Sequence, residues 1–179
     1  MKTLVALLPK FLCQFICWVL KPEPPAYNPT YWNDCSGPEP CAPWGTCTAV
    51  IQCNNNCYNY ANNKRTDTFA QPGLAGAGHE FSTDCAGITA GALADGLVEA
   101  TGACSGCCHR VALVIWPGVD YHWYRLDKNG RWSHKPGHTP VRDVDESNQP
   151  ITNPETADRG GYTVFCGYFC SCRCNVKIN

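Results

Sequence analysis

The sequence is short of charge. Only 16 % of its 179 residues are charged, the formal net charge is −1, and Lys and Arg form no basic run. A nucleic-acid-binding chain or an anionic-membrane binder concentrates basic residues in a patch, so neither class fits. No phosphate-loop glycine pattern occurs, no cofactor or metal is implied by a motif, and no internal repeat or second domain interrupts the chain. A long hydrophobic run is missing as well. The N-terminal "MKTLVALLPKFLCQFICWVL" is apolar on either side of Pro9 and Lys10, whereas a spanning helix needs about twenty consecutive apolar residues. Its basic second residue followed by apolar stretches reads as a signal or leader over residues 1–21, the alternative being an amphipathic or buried first segment.

Cysteine, by contrast, is abundant: fifteen residues, beside sixteen Gly, fourteen Pro, six Trp and eight Tyr. A chain of this length can bury a core without depending on cross-links. So much cysteine points to a disulfide scaffold, hence to an oxidising compartment and a secreted or exported (extracellular or periplasmic) protein. Glycine, proline and asparagine imply a loop-rich fold, and the Trp and Tyr content implies amphipathic surfaces or a groove.

Along the chain, residues 22–46 carry seven prolines from Pro22 to Pro43 and read as an extended covering segment that Cys35, Cys41 and Cys47 would tether. Residues 47–179 form one domain. "CYNYANN" is expected to open a short helix after the asparagines, which are favoured caps, with Cys57 in its first turn. "STDCAGITAGALADGLVEATG" reads as a packing helix. "VALVIW", "YHWYRL" and "RWSH" are three antiparallel strands joined by "PGVD" and "DKNG" turns. A polar loop leads to a terminal strand, "YTVFCGYFCSCRC", on which Cys170, Cys172 and Cys174 share a face. The fold class is therefore α+β.

Thiol chemistry needs a thiolate, a base and a group to orient the base. A thiol in the first turn of a helix meets free backbone N–H groups and the positive end of the macrodipole, which favour the charged sulfur. That describes Cys57. "DKNG" suits a type I turn followed by a left-handed glycine, Gly130. In that register Leu126 opposes Trp132 and Tyr124 opposes His134, so His134 becomes the same-face diagonal neighbour of His122. A two-residue turn would send His134 to the opposite face. The bland alternative is a pair of ordinary polar residues on a half-exposed aromatic sheet.

These residues resemble a family. "NCYNYA" is similar to the nucleophile signature of papain-like cysteine peptidases, and the hairpin carrying His122 and His134 resembles the Cys-His-His order of the NlpC-type cell-wall peptidases in that superfamily. The resemblance covers roughly residues 50 to 135. It implies a papain-like α+β fold, in which a helix carrying the nucleophile packs on a small antiparallel sheet. It also implies Cys57 as nucleophile, His122 as base and His134 as orienting group. Gln52, one residue off the usual spacing, and Asn56 or the Cys57 amide would supply the oxyanion donors. Trp116, Tyr121, Trp123, Tyr124 and Trp132 would line a substrate groove. "TDCAG" also resembles a nucleophile-bearing helix start, which makes Cys85 a rival.

Setting aside Cys13 and Cys17 as leader residues and one catalytic thiol leaves twelve cysteines, enough for six disulfides. Zinc is the competing use, through Cys104, Cys107, Cys108 and His109 with the three cysteines of "CSCRC". Two functions follow. The first is a thiol-dependent hydrolase or acyltransferase acting on a peptide or amide substrate through a thioester. The alternative is a non-catalytic, secreted, disulfide-rich binding or effector module, in which the histidines are structural.

Overall fold

The computed structural model describes residues 10–20, 23–34 and 50–179. Its helices are α1 (Lys10–Leu20), α2 (Pro29–Trp32), α3 (Val50–Asn54), α4 (Cys57–Ala61) and α5 (Cys85–Ala94). Its strands are β1 (Val98–Glu99), β2 (Cys108–Trp116), β3 (Asp120–Leu126), β4 (Trp132–His134) and β5 (Val164–Cys172). The strands form one five-stranded sheet in the order β1-β5-β2-β3-β4, every neighbouring pair antiparallel. The chain is α+β, as its sequence implies.

The uninterrupted apolar run of β2 follows from its central position, where both faces are covered. Val111, Leu113 and Ile115 pack into a cluster with Tyr58, Ile88, Trp123 and Phe169. Ala112 and Val114, on the other face, join Tyr124, Trp132 and Ile151 under the loop that follows β4. The expected hairpin register holds: Tyr124 pairs with His134 and Leu126 with Trp132. Gly130 sits at φ +78° and donates its N–H to the Asp127 carbonyl, closing the turn.

Helix α4 begins where the asparagines stop the preceding turn. The Asn56 side chain accepts from the N–H groups of Tyr58 and Asn59, and the Asn59 side chain returns a bond to the Asn56 N–H, a reciprocal capping box. Asp84 caps α5 by accepting from Gly87. That helix stops at Ala94, shorter than the apolar stretch implied, because Asp95 turns away to bind the Gly73 and Gly76 amides and the Tyr58 hydroxyl. A buried polar network anchors α4 to the sheet. Arg125 binds Asp127 (2.8 Å) and the Tyr60 hydroxyl (2.8 Å), and Ser133 bridges Tyr60 and Asp127.

Part of the proline-rich segment does cover the domain. Trp32 is buried against Tyr60 and Val141, and the carbonyls of Pro25 and Ala26 accept from Lys128 and Arg125. It also contains the one-turn helix α2, with Pro29 at its first position and Asn28 as cap. The tethering roles expected of Cys35, Cys41 and Cys47 lie outside the described residues. Cys13 and Cys17, set aside as leader residues, lie on α1 and are bridged to Cys174 and Cys107. Cys85–Cys166, Cys104–Cys170 and Cys108–Cys172 complete the described pairs, and Cys53 is also disulfide-bonded. None of the described helices is long and apolar enough to cross a membrane.

Candidate functional site

Among the described residues the one free thiol is Cys57, buried at the first turn of α4. The eleven other described cysteines are disulfide-bonded, and Cys57 packs into the core cluster around Trp123, against which the Cys85–Cys166 pair also packs. The histidine pair lies close by, on β3 and β4. His122 Nε2 is 2.9 Å from His134 Nδ1, and His134 Nε2 is 3.0 Å from the Val144 carbonyl. A carbonyl can only accept, so His134 carries its proton on Nε2 and accepts on Nδ1 from His122 Nε2–H. His134 therefore orients His122, as the register implies.

The environment does not activate the thiol. Burial pushes Cys57 up to about 12, with the Asp120 charge adding to it, and the amides of Trp123 and Tyr58 oppose the rise only in part. The helix-terminus effect is too small to offset burial, because α4 has only five residues and Asn56 shares its Tyr58 and Asn59 amides. Burial and His134 hold His122 well below the ordinary histidine range. Burial takes His134 down to about 4. Both imidazoles are neutral at physiological pH.

The thiol and the base are also not hydrogen-bonded to one another among the described residues. Cys57, at the Trp123 backbone amide, still acts electrostatically on Tyr124 and Tyr162 beside the His122 ring, while strand alternation sends His122 and Tyr124 to the face opposite Trp123. There the His122 ring meets Tyr124, Tyr162 and His134. The thiol and both rings are sealed, at 5 %, 4 % and 2 % exposure.

Other expected roles go to structural work. The Gln52 side chain donates one N–H to the His138 carbonyl (3.1 Å), and its backbone carbonyl accepts from Lys135. Asn56 is spent on the cap and on the Ala70 carbonyl. Cys85 is bonded to Cys166 and cannot act as a nucleophile. The five aromatic residues do not line a common groove. Trp123 is buried on one sheet face and Tyr124 and Trp132 on the other, Tyr121 is half-buried against Gln71, and exposed Trp116 packs on Tyr162.

The zinc reading fails in the same way. Cys104, Cys107, Cys108, Cys170, Cys172 and Cys174 are all in disulfides. His109 is buried, donates from Nε2 to the Ala61 carbonyl at 2.6 Å, and is taken down to about 4 by burial.

Lys135 was not singled out by sequence. It is fully buried beside the thiol, donates to the carbonyls of Gln52 and Gly137, and is lowered to about 7 by burial. Its only sequence signal is its place next to His134, where alternation turns it towards the helix side. Tyr162, which closes over His122 and donates to Asp120 (2.8 Å), opens the stretch expected as the terminal strand but precedes β5 in the structure, and was not singled out by sequence.

No family model matches the chain, and no solved structure matches it. One curated relative does. The insoluble matrix shell protein 1 of Ruditapes philippinarum is 50 % identical over 119 residues, which span 66 % of this chain and 80 % of that protein. This overturns the expectation of a thiol-dependent hydrolase or acyltransferase, since the relative is described as a matrix protein, and it agrees with a sealed, neutral thiol and base. The chain belongs to the family of insoluble matrix shell protein 1.

Proposed function

We propose that this protein is a non-catalytic, disulfide-braced structural module of an extracellular matrix, laid down in the insoluble fraction of a shell. The observation that carries this reading is the 50 % identity to an insoluble matrix shell protein across four-fifths of that protein's length. The oxidised cysteines support it, because such bridges persist outside the cell and brace a chain that has to outlast its synthesis. The matrix-protein relative, rather than the bridges, favours an extracellular over a periplasmic location. The binding surfaces are presented to structural partners in the matrix, not to a peptide substrate.

The arrangement of a cysteine-bearing helix on an antiparallel hairpin with two histidines further supports a papain-like scaffold, kept for its packing. In that role the His122–His134 pair, bonded onward to Val144, pins the loop after β4 to the sheet. Demineralised matrix from the source tissue, extracted with detergent, tests the reading. The chain is expected in the insoluble residue, and recovery solely from the soluble or intracellular fraction would overturn it. The second arm is iodoacetamide at pH 8 on the native protein, where Cys57 is expected to stay unlabelled until denaturant is added. Rapid labelling of native Cys57 counts against a non-catalytic site.

A further inference from the structure

Two disulfides that tie α1 to the domain touch each other. Cys17 Sγ, bonded to Cys107, lies 3.3 Å from Cys174 Sγ, which is bonded to Cys13. Beside them a cavity of about 460 Å³ is lined by Cys17, Cys107 and Cys174 together with Trp18 and the exposed Ser105 and Gly106. Cys107 is half-buried and faces this opening, whereas Cys13 and Cys17 are 4 % and 6 % exposed. We propose that this cavity is a thiol-exchange site, which takes a small monothiol of tripeptide size onto Cys107 and passes the exchange inward through Cys17 to Cys174.

The steps balance without an external oxidant. The incoming thiolate attacks Cys107 Sγ, forms a mixed disulfide and expels Cys17 as thiolate. Cys17 then attacks the neighbouring Cys174 Sγ, closing a Cys17–Cys174 bridge and releasing Cys13 as thiolate, which takes up a proton. One thiolate is consumed and one is released, and the number of disulfides stays at two: the Cys17–Cys107 and Cys13–Cys174 bridges become one mixed disulfide on Cys107 and one new internal bridge. Attack at the central sulfur requires contact between the attacking and receiving sulfurs, and the 3.3 Å separation supplies it. Cys108 and Cys172 also border the cavity but do not compete. They occupy directly paired positions on β2 and β5 with α-carbons 4.0 Å apart, so the ladder returns an expelled sulfur to its partner. The volume suits a small thiol of tripeptide size.

Peptide mapping of the native full-length protein after exposure to glutathione at pH 8 and acid quenching tests this. The expected products are glutathione on Cys107, a Cys17–Cys174 cross-link and Cys13 as the new free thiol. Replacing both Cys13 and Cys174 by Ser removes the receiving bridge, so the Cys107 adduct is expected to fall at least about tenfold, because Cys17 then recloses on Cys107. The proposal is overturned by no adduct on Cys107, by an adduct without the Cys17–Cys174 link, by an undiminished adduct in the double variant, or by a folded protein's cysteine reacting where glutathione does not. If the double variant does not fold, the wild-type map alone decides, and neither result depends on where the protein resides.

Discussion

At the scale of single residues, burial decides the chemistry. Cys57, His122 and His134 have the identities a thiol site needs, yet desolvation raises the thiol and lowers both imidazoles, leaving each group neutral. His109 shows the cost most cleanly. Its folded-state value near 4 lies below the ordinary 6.5, so the unfolded chain takes up the proton first. Stability is therefore fully present above about pH 6.5 and falls as the pH drops towards 4, by an amount on the order of 3 kcal/mol for this one group. His122 and His134 shift in the same direction and add to the loss. Urea midpoints measured at pH 7.5 and 4.5 are expected to fall on acidification. His109→Gln keeps an N–H donor for the Ala61 carbonyl and is expected to flatten that fall measurably. An equal slope in the variant would show that His109 is not held neutral.

At the scale of elements, the β3–β4 hairpin carries the pair. The left-handed Gly130 makes the loop three residues long, and only that length puts His134 on the face of His122. A Cβ at position 130 would meet nothing within 4 Å, so a substitution there strains the backbone without a clash. Gly130→Ala is expected to lower stability by about 1 kcal/mol, and Gly130→Asn by less, because Asn tolerates the left-handed region. Denaturant titration of both variants checks the order. An Ala variant as stable as the parent would mean the turn has relaxed to another form. Helix α4 is set by the neighbouring Arg125–Asp127–Ser133–Tyr60 network, which joins its last turn to β3 and β4. Nothing in the local sequence of α4 shows that coupling.

At the scale of the whole molecule, disulfides join segments that are far apart along the chain. Cys85–Cys166 ties the start of α5 to β5 across 81 residues, and Cys13–Cys174 ties α1 to the C-terminal end across 161. Bridges that close long loops restrict the unfolded chain most. By that loop entropy, replacing both Cys85 and Cys166 with Ser is expected to cost roughly 4 kcal/mol. The comparison of urea midpoints for the double variant and the parent measures it. A loss below about 1 kcal/mol would mean that packing of Ile88 and Ala92 already holds α5 in place. Helix α1 is different: Phe11, Phe15 and Trp18 are largely exposed, and its attachment rests on Cys13 and Cys17.

Local patterns in the sequence determined the β2–β3–β4 hairpins, the asparagine cap before Cys57, the terminal strand and the His122–His134 face, because turn chemistry and period-two alternation act over a few residues. An oxidising location was equally legible in the fifteen cysteines. Only the tertiary structure decided which sulfurs pair, that Cys85 is bridged, that Gln52 and Asn56 are spent on carbonyls and caps, and that the aromatic residues divide between two cores. Those outcomes depend on which segments meet across the sheet and how much water they exclude. The same exclusion holds Cys57, His122 and His134 in their neutral forms, since a charge that lacks solvent or a partner is too costly to form in the interior.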